Sequence, residues 1–383
     1  MNEQWWTGLS NLDPEQKRVL ELPPAGRYFV TGPAGCGKTN LLVLRAKFLA
    51  KRGVENYSVL VFNGPLEKFL TSNTKHGVDP DKVDTFISWM QKQYWSVIGA
   101  PSGGLPNDLD ERRTFLCDGL REYLAKTGTQ NLVDTILVDE VQDYTPSEIE
   151  LFGAMAKNLF LVGDTRQQIY QGALIDAAID KVIPKANQIE LLRHYRIGHA
   201  ICRLADRIAK PQTGRREIFE ACCYDESKLP STVKPFSGTF DDQMRVAAET
   251  ISQQLDAYPG EFIGVMCPRK DDVERIAEYL HREFGDQVMV QVSGKYEYFE
   301  SSAPIVVSSL HNGKGLEFRC VHILVTERLS GMPRNRELIY TGVTRAKTTL
   351  SIYFEGKLIG YLADALAAAE PPTPVPTSES LFE

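Results

Sequence analysis

The run Val30-Thr31-Gly32-Pro33-Ala34-Gly35-Cys36-Gly37-Lys38-Thr39-Asn40 lies between two unlike neighbours. Before it, Tyr28, Phe29 and Val30 form a short apolar run that reads as a buried strand. After it, Leu41-Leu42-Val43-Leu44 with Arg45 and Ala46 reads as a helix. A glycine-rich turn between strand and helix is the setting of a phosphate-binding loop. The spacing is G-x-x-x-x-G-K-T, with Gly32, Gly37, Lys38 and Thr39 at the required places. Glycines let consecutive N–H groups converge on one anion, and the helix N-terminus adds its positive end. Lys38 would reach the β- and γ-phosphates of a nucleotide, and the Thr39 hydroxyl would hold Mg²⁺. The pattern arises by accident about once in a hundred chains of this length, so a plain surface turn is the weaker reading.

Working outward, Leu12 to Leu20 reads as a helix with Asp13 as N-cap and Pro14 at its first position. Gln16 on it is either a solvated residue or, upstream of a phosphate loop, an amide that reads an adenine edge. Val59-Leu60-Val61-Phe62-Asn63-Gly64-Pro65 reads as a strand running into a turn, and Thr135-Ile136-Leu137-Val138-Asp139-Glu140 as a strand ending in two carboxylates. Beside a phosphate loop the natural partner of such a pair is Mg²⁺. Asp139 would hold it through water, and Glu140 would be general base for the attacking water. Leu159 to Asp164 repeats the design of apolar strand, glycine and acid. Further strands are read at 263–267, 305–309, 321–325 and 350–354, with helices over 271–284 and 336–346.

Strands alternating with helices predict an α/β fold with parallel sheets covered on both faces. Two such units are expected in tandem, with nucleotide in the cleft between them. Residues 1–190 form the first, with a small insertion at about 90–130; residues 191–366 form the second; residues 367–383 are a disordered proline-rich tail. Tyr195-Arg196 and Thr344-Arg345 in the second unit are candidates for arginine fingers.

Composition narrows the classes. Charged residues make up 24% and apolar ones 43%, ordinary for a globular protein. No run of 18 uncharged apolar residues and no signal-peptide pattern is present, so a cytoplasmic protein without membrane insertion is expected. The seven cysteines include no C-x-x-C pair and read as reduced thiols rather than a zinc site. A net charge of −7 restricts any nucleic-acid surface to a local groove.

Taken together these pieces resemble superfamily 1 helicases of the UvrD/Rep/PcrA type over residues 12 to about 355. Leu12 to Gln16 resembles the adenine-reading Q motif, and Gly32 to Thr39 the Walker A motif. Val59 to Pro65 and Thr85 to Trp89 resemble single-strand contacts. Val138-Asp139-Glu140-Val141-Gln142-Asp143 is similar to the extended Walker B motif. Gly163-Asp164-Thr165-Arg166-Gln167-Gln168-Ile169-Tyr170 is similar to the G-D-x-x-Q-x-I-Y motif, which implies a γ-phosphate sensor at Gln167. Leu191 to Arg196 resembles the motif whose tyrosine, here Tyr195, stacks on adenine and whose arginine, here Arg196, reaches the γ-phosphate. Ser309 to Phe318 resembles H-x-x-K-G-L-E-F, implying Glu317 on the ribose and His311 near DNA. Tyr340 to Lys347 resembles the last motif, implying a second finger at Arg345.

The resemblance implies two RecA-like domains of the P-loop NTPase type that use ATP and Mg²⁺ to step 3′ to 5′ along single-stranded DNA, with RNA as the other candidate strand. Nucleic-acid contacts are implied at Phe62, Asn63, Thr85, Trp89, Tyr170 and His311; the aromatics Phe62, Trp89 and Tyr170 are either base platforms or core packing. The departures are specific. About 45 residues separate Trp89 from Thr135 and about 110 separate Arg196 from Val307, leaving the accessory subdomains as remnants. Gln171-Gly172-Ala173 stands where the family carries a stacking tryptophan, worth roughly 1 to 3 kcal/mol per base, and Ile87 replaces a histidine. Two other functions are therefore kept open: a DNA-stimulated ATPase switch or loading subunit for a partner nuclease, and an inactive binding scaffold. The C-terminal Ser380-Leu381-Phe382 resembles peptides that dock on sliding clamps.

Overall fold

Strands that are apolar on both sides are stable only between two covering layers, and the chain builds two sheets of that kind. The computed structural model describes residues 12–61, 67, 70–71, 78–164, 172–209, 217–292, 295–296, 303–313, 316–332 and 335–369. The chain divides into two units, Met1–His194 and Tyr195–Glu383. In the first, the elements run α1 (Pro14–Leu20), β1 (Arg27–Thr31), α2 (Lys38–Lys51), β2 (Tyr57–Val61), β3 (Val83–Thr85), α3 (Phe86–Val97), α4 (Leu109–Thr127), β4 (Val133–Val138), α5 (Pro146–Met155), β5 (Ala156–Gly163), α6 (Gly172–Val182) and β6 (Gln188–Glu190).

Their sheet has the order β3-β2-β4-β5-β1-β6, and every pairing in it is parallel. Alternation along each strand sends its residues to two separate cores. Phe29, Leu60, Ile136, Val138, Leu159 and Leu161 join one, with Phe86, Tyr144 and Phe152. Tyr28, Val30, Val59, Val61, Leu137, Phe160 and Val162 join the other, with Leu41 and Leu42 of α2. β1 and β4 flank β5, so the phosphate loop and the acid pair leave the sheet at the same, carboxyl, edge, where ligands of open α/β sheets bind.

The second unit runs α7 (His199–Ala209), β7 (Thr232–Ser237), α8 (Phe240–Ala257), β8 (Ile263–Cys267), α9 (Lys270–Phe284), β9 (Val288–Val292), β10 (Lys295–Tyr296), β11 (Ile305–Ser309), β12 (Phe318–Ile323), α10 (Asn335–Val343), β13 (Ala346–Phe354) and α11 (Gly360–Ala369). The order is β10-β9-β11-β8-β12-β13-β7, parallel except for the short β10 against β9. The sequence reading thus finds its two parallel-sheet units, with local differences. The helix read over 336–346 stops at Val343, and Ala346 already begins β13. The strand read to Val325 ends at Ile323, because Val325 takes a left-handed backbone, φ 49°. α11 continues through residues 367–369, where the tail was expected to start. The clamp-like Ser380-Leu381-Phe382 lies outside the described residues. No helix among the described residues is long and apolar enough to cross a membrane.

Candidate active site

The phosphate loop follows β1 and ends where α2 begins at Lys38. Gly37 has φ +86°, and a Cβ there would sit 2.9 Å from Gln16 Nε2, so the loop closes only around glycine. Gln16 is buried, which corrects the reading of it as a solvated residue. It shares a capping box with Asp13 and donates Nε2 to the Cys36 carbonyl at 2.9 Å, tying α1 to the loop. Lys38 Nζ donates to the carbonyls of Gly32 and Pro33, both at 2.9 Å, which sets the ammonium inside the loop.

The acid pair meets this loop. Thr39 Oγ1 donates to Asp139 Oδ2 at 2.9 Å across 100 residues of sequence. Asp139 is 1% exposed. Burial, then the neighbouring Glu140 charge, push its carboxyl up to about 7. Hard oxygen donors with surplus negative charge in one buried spot fit Mg²⁺. Glu140 itself is left-handed, φ 50° and ψ 50°, an uncommon conformation for a side chain with a Cβ. Its carboxylate accepts from Gln142 Nε2, and Gln142 Oε1 accepts from the Asp164 N–H at 3.0 Å. Strained backbone held by its neighbours is a common property of functional sites.

In the second unit, the Arg196 guanidinium pairs with the Glu317 carboxylate and donates Nη2 to the Thr344 carbonyl at 3.1 Å. Lys347 Nζ stands 3.9 Å from Glu317; burial, then the Arg196 charge, lower its ammonium to about 8. Arg345 is 3% exposed and donates Nε to the Thr341 carbonyl at 3.1 Å. Tyr195 is 41% exposed. His311 is exposed on the turn after β11.

Among the expected nucleic-acid contacts, Trp89 is corrected. It is 1% exposed, donates Nε1 to Ser58 Oγ at 3.0 Å and packs against Phe152, so it cannot offer a face to a base. The cause is helical phase: the apolar face of α3 must cover the sheet, and Trp89 lies on it with Phe86 and Met90. Thr85 caps α3, its hydroxyl accepting from the Ser88 N–H. Phe62, Asn63, Tyr170 and the expected sensor Gln167 lie outside the described residues. Sequence reading passed over Gln142 as a site residue, although it stands two positions after Glu140.

Residues 16–173 match the family described as AAA domain, and residues 304–353 match the UvrD-like helicase C-terminal domain. The chain belongs to the UvrD-like superfamily 1 helicases. Within that UvrD-like group, a Bacillus subtilis (strain 168) protein named "Putative ATP-dependent DNA helicase YjcD" is 29% identical over 154 residues, 38% of this chain and 20% of its own length. A Mycoplasma genitalium protein named "Probable DNA helicase II homolog" is 37% identical over 82 residues, 19% of this chain and 12% of its own. The chain thus spans a small part of these relatives. A crystal structure of the C-terminal domain of a possible DNA helicase from Lactobacillus plantarum WCFS1 aligns over 46% of this chain and 96% of its own, with TM-score 0.35 and 19% identity.

Proposed function

We propose that this UvrD-like protein is a cytoplasmic ATP-driven motor that moves 3′ to 5′ along single-stranded DNA. The observation that carries the reading is the junction of Thr39, Asp139 and Glu140, which joins a phosphate loop to a metal-binding acid and a candidate base. Loop N–H groups and Lys38 would hold the phosphates of ATP, and the Thr39 hydroxyl and Asp139 carboxylate would hold Mg²⁺, whose charge offsets that of the phosphates. Glu140, steered by Gln142, would take the proton of the attacking water. Arg196 and Arg345 would stabilise the transferring phosphoryl group, and Glu317, once Arg196 leaves it, would be available to a ribose hydroxyl. Closing on ATP and reopening after hydrolysis would advance the strand.

A second reading, a DNA-stimulated switch or loader for a nuclease, is favoured by one feature. Only α3 and α4 stand between β3 and β4, where the resemblance to UvrD/Rep/PcrA-type helicases implies a larger accessory subdomain. The test is steady-state ATP hydrolysis with and without single-stranded DNA, followed by displacement of 3′-tailed and 5′-tailed duplexes. Lys38→Ala and Glu140→Gln should abolish steady-state turnover, with Glu140→Gln keeping a slow residual hydrolysis measurable in a single turnover. Stimulation with displacement of the 3′-tailed duplex alone supports the motor; stimulation without displacement moves the assignment to the switch. Absence of hydrolysis leaves a binding scaffold.

A further inference from the structure

Helix α4, half of what remains of the insertion, carries a largely buried arginine for which the phosphate-loop chemistry has no use. Arg113 sets its guanidinium fork on Glu148, with Nε to Oε1 at 2.8 Å and Nη2 to Oε2 at 2.6 Å, and Nη2 also donates to the Asp143 carbonyl at 3.3 Å. The Phe86 ring lies under the guanidinium, 5.5 Å to its centroid. Glu148 is committed in turn to the capping box of α5: the Thr145 N–H donates to Oε2 at 2.7 Å, and the Glu148 N–H to Thr145 Oγ1 at 3.3 Å. One guanidinium therefore joins α4, the first turn of α5 and the end of the turn at 141–143.

That turn supports the acid pair. Asp143 N–H donates to the Glu140 carbonyl at 2.9 Å and Tyr144 N–H to the Val141 carbonyl at 3.2 Å. Gln142, at its centre, holds the Glu140 carboxylate with one end of its amide and the Asp164 N–H with the other. A left-handed glutamate persists only where its surroundings over-determine it. Tyr144, edge-on to Phe86 at 5.0 Å and Phe152 at 5.4 Å, fixes the turn from the apolar side, and Arg113 fixes it from the polar side.

We propose that Arg113 is a positioning residue for Glu140: by clamping the Asp143 carbonyl and Glu148, it holds the turn that lets Gln142 aim the carboxylate. This rests on the ATP-hydrolysing reading of the site. It gives the insertion remnant a role in hydrolysis rather than in gripping duplex.

Arg113→Met keeps the apolar stem and deletes the fork, while Arg113→Lys keeps a charge without the bidentate geometry. In the full chain with single-stranded DNA, Arg113→Met should lower kcat about 10- to 100-fold with KM for ATP and affinity for a fluorescent ATP analogue unchanged. Arg113→Lys should recover part of the loss. In single-turnover hydrolysis, Arg113→Met added to Glu140→Gln should change nothing further, since both act through one carboxylate. Arg121→Met is the control: the same helix, with Arg121 3.7 Å from Glu150 in an exposed pair, and activity within about twofold of wild type. A rise in KM alone, full additivity with Glu140→Gln, or an equal loss in the Arg121 variant would overturn the proposal. Amide exchange separates it from the ATPase reading. Arg113→Met should expose the Asp143 and Tyr144 amides while β4 stays protected, and unchanged protection there sinks the proposal even in a chain that hydrolyses no ATP. Absence of hydrolysis by the wild type removes the ATPase reading instead.

Discussion

Removing the indole of Trp89 is expected to cost about 3 to 5 kcal/mol of stability, because a fully buried ring leaves a cavity that its neighbours fill only in part. Urea unfolding of Trp89→Ala measures this, and single-strand affinity of the folded protein should stay near wild type. A variant of normal stability and weakened DNA binding would restore Trp89 to the nucleic-acid surface. His322 supplies a second expectation at this scale. It is fully buried, with Nδ1 2.9 Å from the Tyr353 hydroxyl and Nε2 2.8 Å from Gln254 Oε1. The amide oxygen only accepts, so Nε2 carries the proton and Nδ1 accepts from Tyr353. Burial lowers the pKa to about 3 from 6.5. As pH falls the unfolded chain takes up the proton first, so the stability is whole above 6.5 and is lost progressively as pH drops towards 3. Between pH 6.5 and pH 5 this amounts to about 2 kcal/mol. Urea midpoints of wild type and His322→Gln across that range should diverge by this much in pH dependence; parallel curves would mean that His322 is not held neutral.

Among elements, β8 at the middle of the second sheet depends on having no side chain at Gly264. The Phe318 ring of β12 lies over it, and a Cβ would meet ring atoms at 2.6 to 2.9 Å. Gly264→Ala should therefore destabilise by about 1 to 3 kcal/mol despite the better strand propensity of alanine, checked by chemical unfolding. Unchanged stability would mean that the ring moves aside freely. The apolar runs of β1, β4, β5, β8 and β11 were legible in the sequence because strands buried on both faces leave an unbroken apolar trace. β7 was not, since Pro235 interrupts it. The proline is tolerated because β7 pairs only with β13 at the sheet edge. The phosphate loop and acid pair were legible because their chemistry fixes residue type and spacing. The support of Glu140 was not, because Arg113 reaches Asp143 and Glu148 through folding alone, across 30 and 35 residues.

Across the whole molecule, the groups that would hold the phosphates and Mg²⁺ belong to one unit and the candidate fingers to the other. Binding and turnover should therefore be separable by substitution. Arg196 makes its described contacts to Glu317 and Thr344, within its own unit, and the ion pair is largely buried, so Arg196→Ala should destabilise the second unit by roughly 1 to 3 kcal/mol and leave the first unit folded. The Mg²⁺·nucleotide-induced rise in unfolding temperature should persist in it, because Lys38, Thr39 and Asp139 are untouched, and should be lost in Lys38→Ala. DNA-stimulated kcat in Arg196→Ala should nevertheless fall about 10³-fold, the scale of losing one finger that meets charge developing on the transferring phosphoryl group. Thermal shift and steady-state hydrolysis on the same preparations decide the matter. Loss of the nucleotide-induced shift together with activity would make Arg196 a ground-state binding residue. Retention of both would remove it from the chemistry and leave its pairing with Glu317 as its role.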